Sequence, residues 1–174
     1  MNEQEILDIV DKDGNILGQA SREEVHNNPK LIHQVVLCWL FNSKGQILFQ
    51  QRSFNKIHGA GKWDVSCAGH VLSGQTPTQT LQDELKEELG LSNIHPIFVE
   101  KYLYQDENQT ELVHLYYAIV NKKIGDFKIQ EKEVEQVEWM DLDQALKLVH
   151  SQERDVNEWL YDQIARIFRY LLTQ

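Results

Sequence analysis

Cysteine, proline and positive charge are all scarce in this 174-residue chain. Its two cysteines, Cys38 and Cys67, are too few for a disulfide framework or a thiolate cage. Each lies in an apolar stretch, so both are expected to be reduced and buried. Three prolines and nine glycines are dispersed without forming a linker, and no repeat period is present, which points to one domain over 1–174. The longest strongly apolar run, 35–41, is far too short to span a bilayer, and Met1-Asn2-Glu3-Gln4 does not read as an export signal. A cytoplasmic protein with no membrane partner is expected. Lys and Arg number 17 against 27 Asp and Glu, a formal charge of -10. Such a surface repels polyanions, which argues against a nucleic acid polymer as partner. An anionic small molecule would need a local basic pocket.

Hydrophobic residues make up 41% of the chain, enough for a core, and their patterning predicts a mixed α and β fold. In the segment 1–30, apolar residues 6–10 and 16–17 flank the turn-rich Asp11-Lys12-Asp13-Gly14-Asn15 and predict a hairpin. Ser21 then caps a helical turn. A second hairpin is expected from 33–41 and 46–51 around Asn42-Ser43-Lys44-Gly45. Its first strand is too apolar to face water on either side and is therefore central. Further strands are expected over 63–68, 97–104, 112–120 and 134–139. Thr76-Pro77-Thr78-Gln79 supplies an N-cap, a first-turn proline and a capping-box glutamine, and Gly90 supplies the stop, so a helix is bounded at both ends. Asp141 caps another through Val149, and an amphipathic helix is predicted over 155–172, where Leu160, Ile164, Ile167, Phe168 and Leu171 recur at helical spacing. That stripe fits packing onto the sheet, with a homodimer surface as the alternative.

Within the bounded helix Glu84, Glu87 and Glu88 stand at i, i+3 and i+4, so three carboxylates share one face beside the apolar stripe Leu81, Leu85 and Leu89. Spacing alone fits either a solvated acidic face or a seat for a hard divalent cation such as Mg2+ or Mn2+. The glycine-containing segment from Cys67-Ala68-Gly69-His70 to Thr76 leads directly into this helix, and such a loop brings backbone groups to a metal or phosphate. Arg52, Lys56 and Lys62 lie shortly before it. They fit the rim of a phosphate pocket, or an ordinary solvated loop. Trp63, Tyr102, Tyr104 and Tyr116 could stack on a base, or belong to the core.

The stretch 69–91 resembles the Nudix box: Gly, five residues, Glu, seven residues, then Arg-Glu-apolar-x-Glu-Glu-x-Gly-apolar. Gly69, Glu84, Leu85, Glu87, Glu88, Gly90 and Leu91 match with no insertion. The resemblance implies a Nudix fold of the α+β class, a mixed sheet between helices. It also implies Mg2+ or Mn2+ held by Glu84, Glu87, Glu88 and the Gly69 carbonyl, with those glutamates catalytic and a small-molecule diphosphate hydrolysed. Two positions depart from the pattern: Gln75 replaces the first glutamate and Asp83 replaces the arginine that helps hold the glutamates in place in the family. Weakened catalysis, or a diphosphate-binding module without turnover, would follow if those departures were disabling.

The resemblance extends to isopentenyl-diphosphate isomerases and their hydrolase relatives, through Arg22-Glu23-Glu24-Val25-His26, Leu31-Ile32-His33 and Trp63-Asp64-Val65-Ser66-Cys67-Ala68-Gly69-His70. In the isomerases three histidines and acidic residues bind a metal, and His26, His33 and His70 occupy similar places, implying a second site for Mn2+ or Zn2+. The isomerases also use a cysteine immediately before that glycine. Here the position is Ala68, and a strand would turn Cys67 to the opposite face. Thr110-Glu111-Leu112-Val113-His114 offers one glutamate for the family's later acidic pair and no clear second. The hydrolase reading therefore ranks above the isomerase.

Overall fold

The computed structural model describes residues 5–150, 155–157 and 159–173. Nine strands form one mixed sheet: β1 (Ile6–Val10), β2 (Ile16–Ser21), β3 (Ile32–Phe41), β4 (Ile47–Arg52), β5 (Trp63–Asp64), β6 (Cys67–His70), β7 (Ile97–Gln105), β8 (Thr110–Ile119) and β9 (Val134–Met140). The helices are α1 (Arg22–Val25), α2 (Pro77–Leu89), α3 (Leu142–His150) and α4 (Leu160–Leu171). Among the described residues, no helix is long and apolar enough to cross a membrane.

The apolar β3 is central, as its composition requires. β8 runs parallel along its whole length, while β1, β6 and β4 take successive stretches of its other side. Alternate side chains then feed two cores. Val35, Leu37 and Trp39 join Leu148, Leu160, Ile164 and Ile167 on one face, and Val36, Cys38 and Leu40 join Leu81, Leu85 and Leu89 on the other. The stripe of α4 thus packs with the sheet, Leu160, Ile164 and Ile167 buried and Phe168 and Leu171 partly buried. Each fully buried leucine of α2 contributes about 1.5–3 kcal/mol, enough to hold an acidic helix whose glutamates repel one another.

Two expected boundaries are corrected. The segment 63–68 is not one strand: β3 and β4 pair only at Phe41 and Ile47 and then splay, so β5 joins β4 while β6 joins β3. Ser66 bridges the gap, its hydroxyl accepting from the Leu40 amide at 2.8 Å and donating to the Leu48 carbonyl at 2.5 Å. The last helix starts at Leu160, not at Asp155. The Trp63 amide donates to the Asp155 carbonyl, and the Asn157 amide to the Trp63 carbonyl, so this stretch is tied to β5 before the helix begins.

Both ends of α2 follow the sequence signals. Thr76 accepts from the Gln79 amide, Gln79 accepts from the Thr76 amide, Pro77 opens the helix, and Gly90 closes it at φ 64°. The strand β6 and the loop after it therefore lay Gly69 against the middle of this helix, at Glu84. The hairpin of β1 and β2 braces the same loop, because Asp8 accepts from Ser73 Oγ at 2.7 Å and from the Gly74 amide at 3.2 Å.

Candidate active site

A cavity of about 840 Å³ opens over β6 and the start of β3. One side is acidic. Glu84, Glu87, Glu88 and Gly69 all line it, with Lys56 above them. The Glu84 carboxylate lies directly over Gly69, where a β-carbon would fall 2.2 Å from its oxygen, so only glycine permits the approach. Glu88 is buried, and its Oε2 has no hydrogen-bond partner among the described residues.

Burial, reinforced by Glu88 and Glu87, raises the Glu84 carboxyl to about 8. Burial raises Glu88 to about 7, against the opposing pull of the Lys56 ammonium and the Cys67 thiol. Burial in turn lowers Lys56 to about 8, with Arg52 adding to the shift, while its Nζ is bonded to the Glu133 carboxylate. An orphaned carboxylate oxygen and crowded acids facing a bare backbone fit a hard divalent cation.

His26 and His70 also line the cavity, with the buried His33 packed behind them. His26 closes α1, His33 lies on β3 and His70 ends β6; a ligand nitrogen of each lies within 4.8 Å of the others. His26 Nε2 and His70 Nε2 are 2.9 Å apart. Neither ring nitrogen of buried His33 has a hydrogen-bond partner among the described residues. The parallel register places Glu111 opposite His33, with Oε1 3.8 Å from Nε2. Burial lowers His26 to about 4 and His33 to about 3, nearby cations adding to both, and drives His70 well below the usual imidazole range. Three neutral imidazoles, one of them with both nitrogens unmet, and a neighbouring carboxylate fit Mn2+ or Zn2+.

The family profile for the NUDIX domain matches residues 31–160, which hold β3 through α3 and the whole glutamate side of this cavity. The chain belongs to the Nudix family. Within that family it falls in the branch of isopentenyl-diphosphate isomerase-like proteins. It is 36% identical over 124 residues, 68% of each chain, to the isopentenyl-diphosphate Delta-isomerase of Serratia proteamaculans. It is 28% identical over 166 residues, 93% of this chain and 90% of the other, to that of Pectobacterium atrosepticum. The Nudix fold is shared with the crystal structure of DR0079 from Deinococcus radiodurans at a TM-score of 0.79, with 21% identity over 92% of this chain and 98% of that one. The MutT protein from Methanosarcina mazei Go1 matches at 0.66, with 22% identity over 82% and 95%.

Against this Nudix frame, the floor of the cavity between the two sides is apolar: Ala68 and Val113 line it with Val35 and Leu37. Cys67 is turned away into the α2 core, where burial raises its thiol well above the ordinary range. Arg52 lines the cavity, but its Nη1 stands 3.5 Å from Asp64 Oδ2 and its Nη2 donates to the His58 carbonyl. Asp64 is itself buried, accepts from Asn157 Nδ2 at 2.5 Å, and is raised to about 6 by that burial. Lys62 does not join the rim residues Arg52 and Lys56, because it pairs with Asp155 at 3.8 Å and is absent from the lining. Of the aromatics singled out, Tyr104 reaches the cavity, whereas Trp63 and Tyr116 are core residues and the Tyr102 hydroxyl donates to Gln163. Trp159, unnoticed in the sequence, also lines it.

Proposed function

We propose that this chain hydrolyses the diphosphate linkage of a small molecule, a nucleoside diphosphate derivative or a related compound, with Mg2+ or Mn2+. The observation that carries this reading is the closure of Glu84 over Gly69 beside the buried Glu88, whose Oε2 has no hydrogen-bond partner among the described residues, with the Lys56 ammonium close enough to act on both carboxyls. Glu84, Glu87, Glu88 and the Gly69 carbonyl would hold the ion. When bound, it supplies Lewis-acid neutralisation of phosphate oxygens and a more acidic water.

The chain's own groups do the rest. A carboxyl raised to about 7, such as Glu88, changes protonation near neutral pH and is suited to take a proton from the attacking water. Lys56 and Arg52 bring positive charge to the phosphates, each steadied by an acid, Glu133 and Asp64. The net charge of -10 makes this local cationic edge the place where an anion is accepted.

The histidine cluster with Glu111 and the names of the relatives favour a second reading, isomerisation of isopentenyl diphosphate. Moving a proton on a carbon skeleton needs a proton carrier near the carbon, and the methyl of Ala68 and the isopropyl of Val113 carry none. The test is a product screen with Mg2+ and with Mn2+ over nucleoside, dinucleoside, sugar and isoprenoid diphosphates, alongside Glu88→Gln. Phosphate or monophosphate release that is lost in Glu88→Gln is the expected result. Dimethylallyl diphosphate formed from isopentenyl diphosphate without hydrolysis would overturn it, and tight binding without any product would leave a binding module.

A further inference from the structure

The two residues that depart from the Nudix box touch each other. Gln75 Nε2 donates to Asp83 Oδ2 at 3.4 Å, and Thr80 Oγ1 donates to Gln75 Oε1 at 3.0 Å. The amide orientation follows from chemistry, because the Asp83 carboxylate can only accept and so must face the NH2 end. In the usual pattern residue 75 would be the acceptor and residue 83 the donor. Here both roles are reversed together. A glutamate beside Asp83 would lose the donor and set two anions against each other, whereas Gln75 supplies the donor that Asp83 can accept from.

This contact has leverage on the glutamates. Gln75 lies near the end of the loop that follows Gly69 and His70 of β6, its backbone amide fixed to the Leu72 carbonyl at 2.9 Å, and Asp83 immediately precedes Glu84. The segment therefore meets α2 at both ends, by close packing of Glu84 over Gly69 and by the hydrogen bond from Gln75 to Asp83. We infer that Gln75 and Asp83 are a reversed but compensated latch, a pair of positioning residues that hold Glu84 against Gly69, so the atypical box is not a disabled one. The inference rests on the glutamate side being the metal seat.

The test is Mn2+ binding to the full chain, followed by the paramagnetic resonance of free Mn2+. The step lost in Glu88→Gln marks the glutamate site. Charge and position predict opposite orders. Counting the pair, wild type carries -1, Gln75→Glu -2 and the double variant Gln75→Glu/Asp83→Arg 0, so charge alone would make Gln75→Glu the tightest binder of a cation. The latch predicts that Gln75→Glu weakens Mn2+ by about tenfold, as loss of a partner that orients metal ligands does. The double variant should return to the wild-type value. Gln75→Leu, which removes both hydrogen bonds without adding charge, should weaken Mn2+ in the same direction and guards against a folding defect in Gln75→Glu, with thermal midpoints read for all. Unchanged or tighter binding by Gln75→Glu, or no recovery in the double variant, would overturn the latch alone. A wild-type chain with no Glu88-dependent Mn2+ step would overturn the metal seat together with it.

Discussion

The two sides of the cavity meet at consecutive residues, Gly69 and His70, yet are built from opposite materials. The acidic side offers oxygen ligands on a helix, and the other offers nitrogen ligands from a helix end and two strands. Burial perturbs both, in opposite directions. Glu84 and Glu88 are raised, while His26, His33 and His70 are lowered, so each set is pushed toward its neutral form. Dehydrated oxygen and nitrogen donor sets thus stand side by side on one cavity, and they differ in softness.

Breaking the acidic side should have the largest effect. Glu88→Gln is expected to lower turnover by about 100-fold or more in steady-state assays, with the zinc-binding step of the histidines intact. The converse change, His26→Ala with His70→Ala, should abolish the zinc step in a calorimetric titration while diphosphate turnover stays within about threefold. Hydrolysis that fell as far as in Glu88→Gln would show that the two sides act as one centre.

Acidity sharpens the contrast in chelator-treated protein. His33 is lowered from its ordinary 6.5 to about 3, so its stability contribution is present above 6.5 and lost as pH falls toward 3. Glu84 is raised from 4.5 to about 8, so its contribution is present below 4.5 and lost as pH rises through 8. Thermal midpoints of His33→Gln should vary less than wild type between pH 6.5 and 4, and those of Glu84→Gln less between pH 5 and 8.5. A smaller effect is expected from Lys56→Met. Its ammonium lowers both glutamates, so removal should move the acid limb of the pH–rate profile upward by about one unit. Lys62→Ala should leave KM unchanged and stability within about 0.5 kcal/mol, because its partner is the exposed Asp155.

Local signals made the acidic side legible in the sequence. Thr76, Pro77, Gln79 and Gly90 bound α2 through bonds within a few residues, and the helical repeat then fixes which way Glu84, Glu87 and Glu88 point. The imidazole side depends on pairings far apart in the chain. Resemblance picked out its three histidines and offered Glu111 for the acidic pair, but what sets Glu111 opposite His33 is the parallel register of β3 and β8, which no short-range pattern encodes. The break at Ser66 was hidden for the same reason, since it answers the splay of β3 from β4 rather than any turn residue. Lys62 looked like a pocket residue by proximity to Gly69 in sequence. The strand β5 turns it instead toward the stretch that leads into α4.

The adjacency of Gly69 and His70 also has a thermodynamic meaning. A single planar peptide unit joins them, with α-carbons about 3.8 Å apart, so neither can shift without carrying the other. Two ions seated on either side would then be linked ligands. By reciprocity, whatever factor one exerts on the affinity of the second, the second must return to the first, and a titration with mixed cations should bend away from the sum of its separate isotherms.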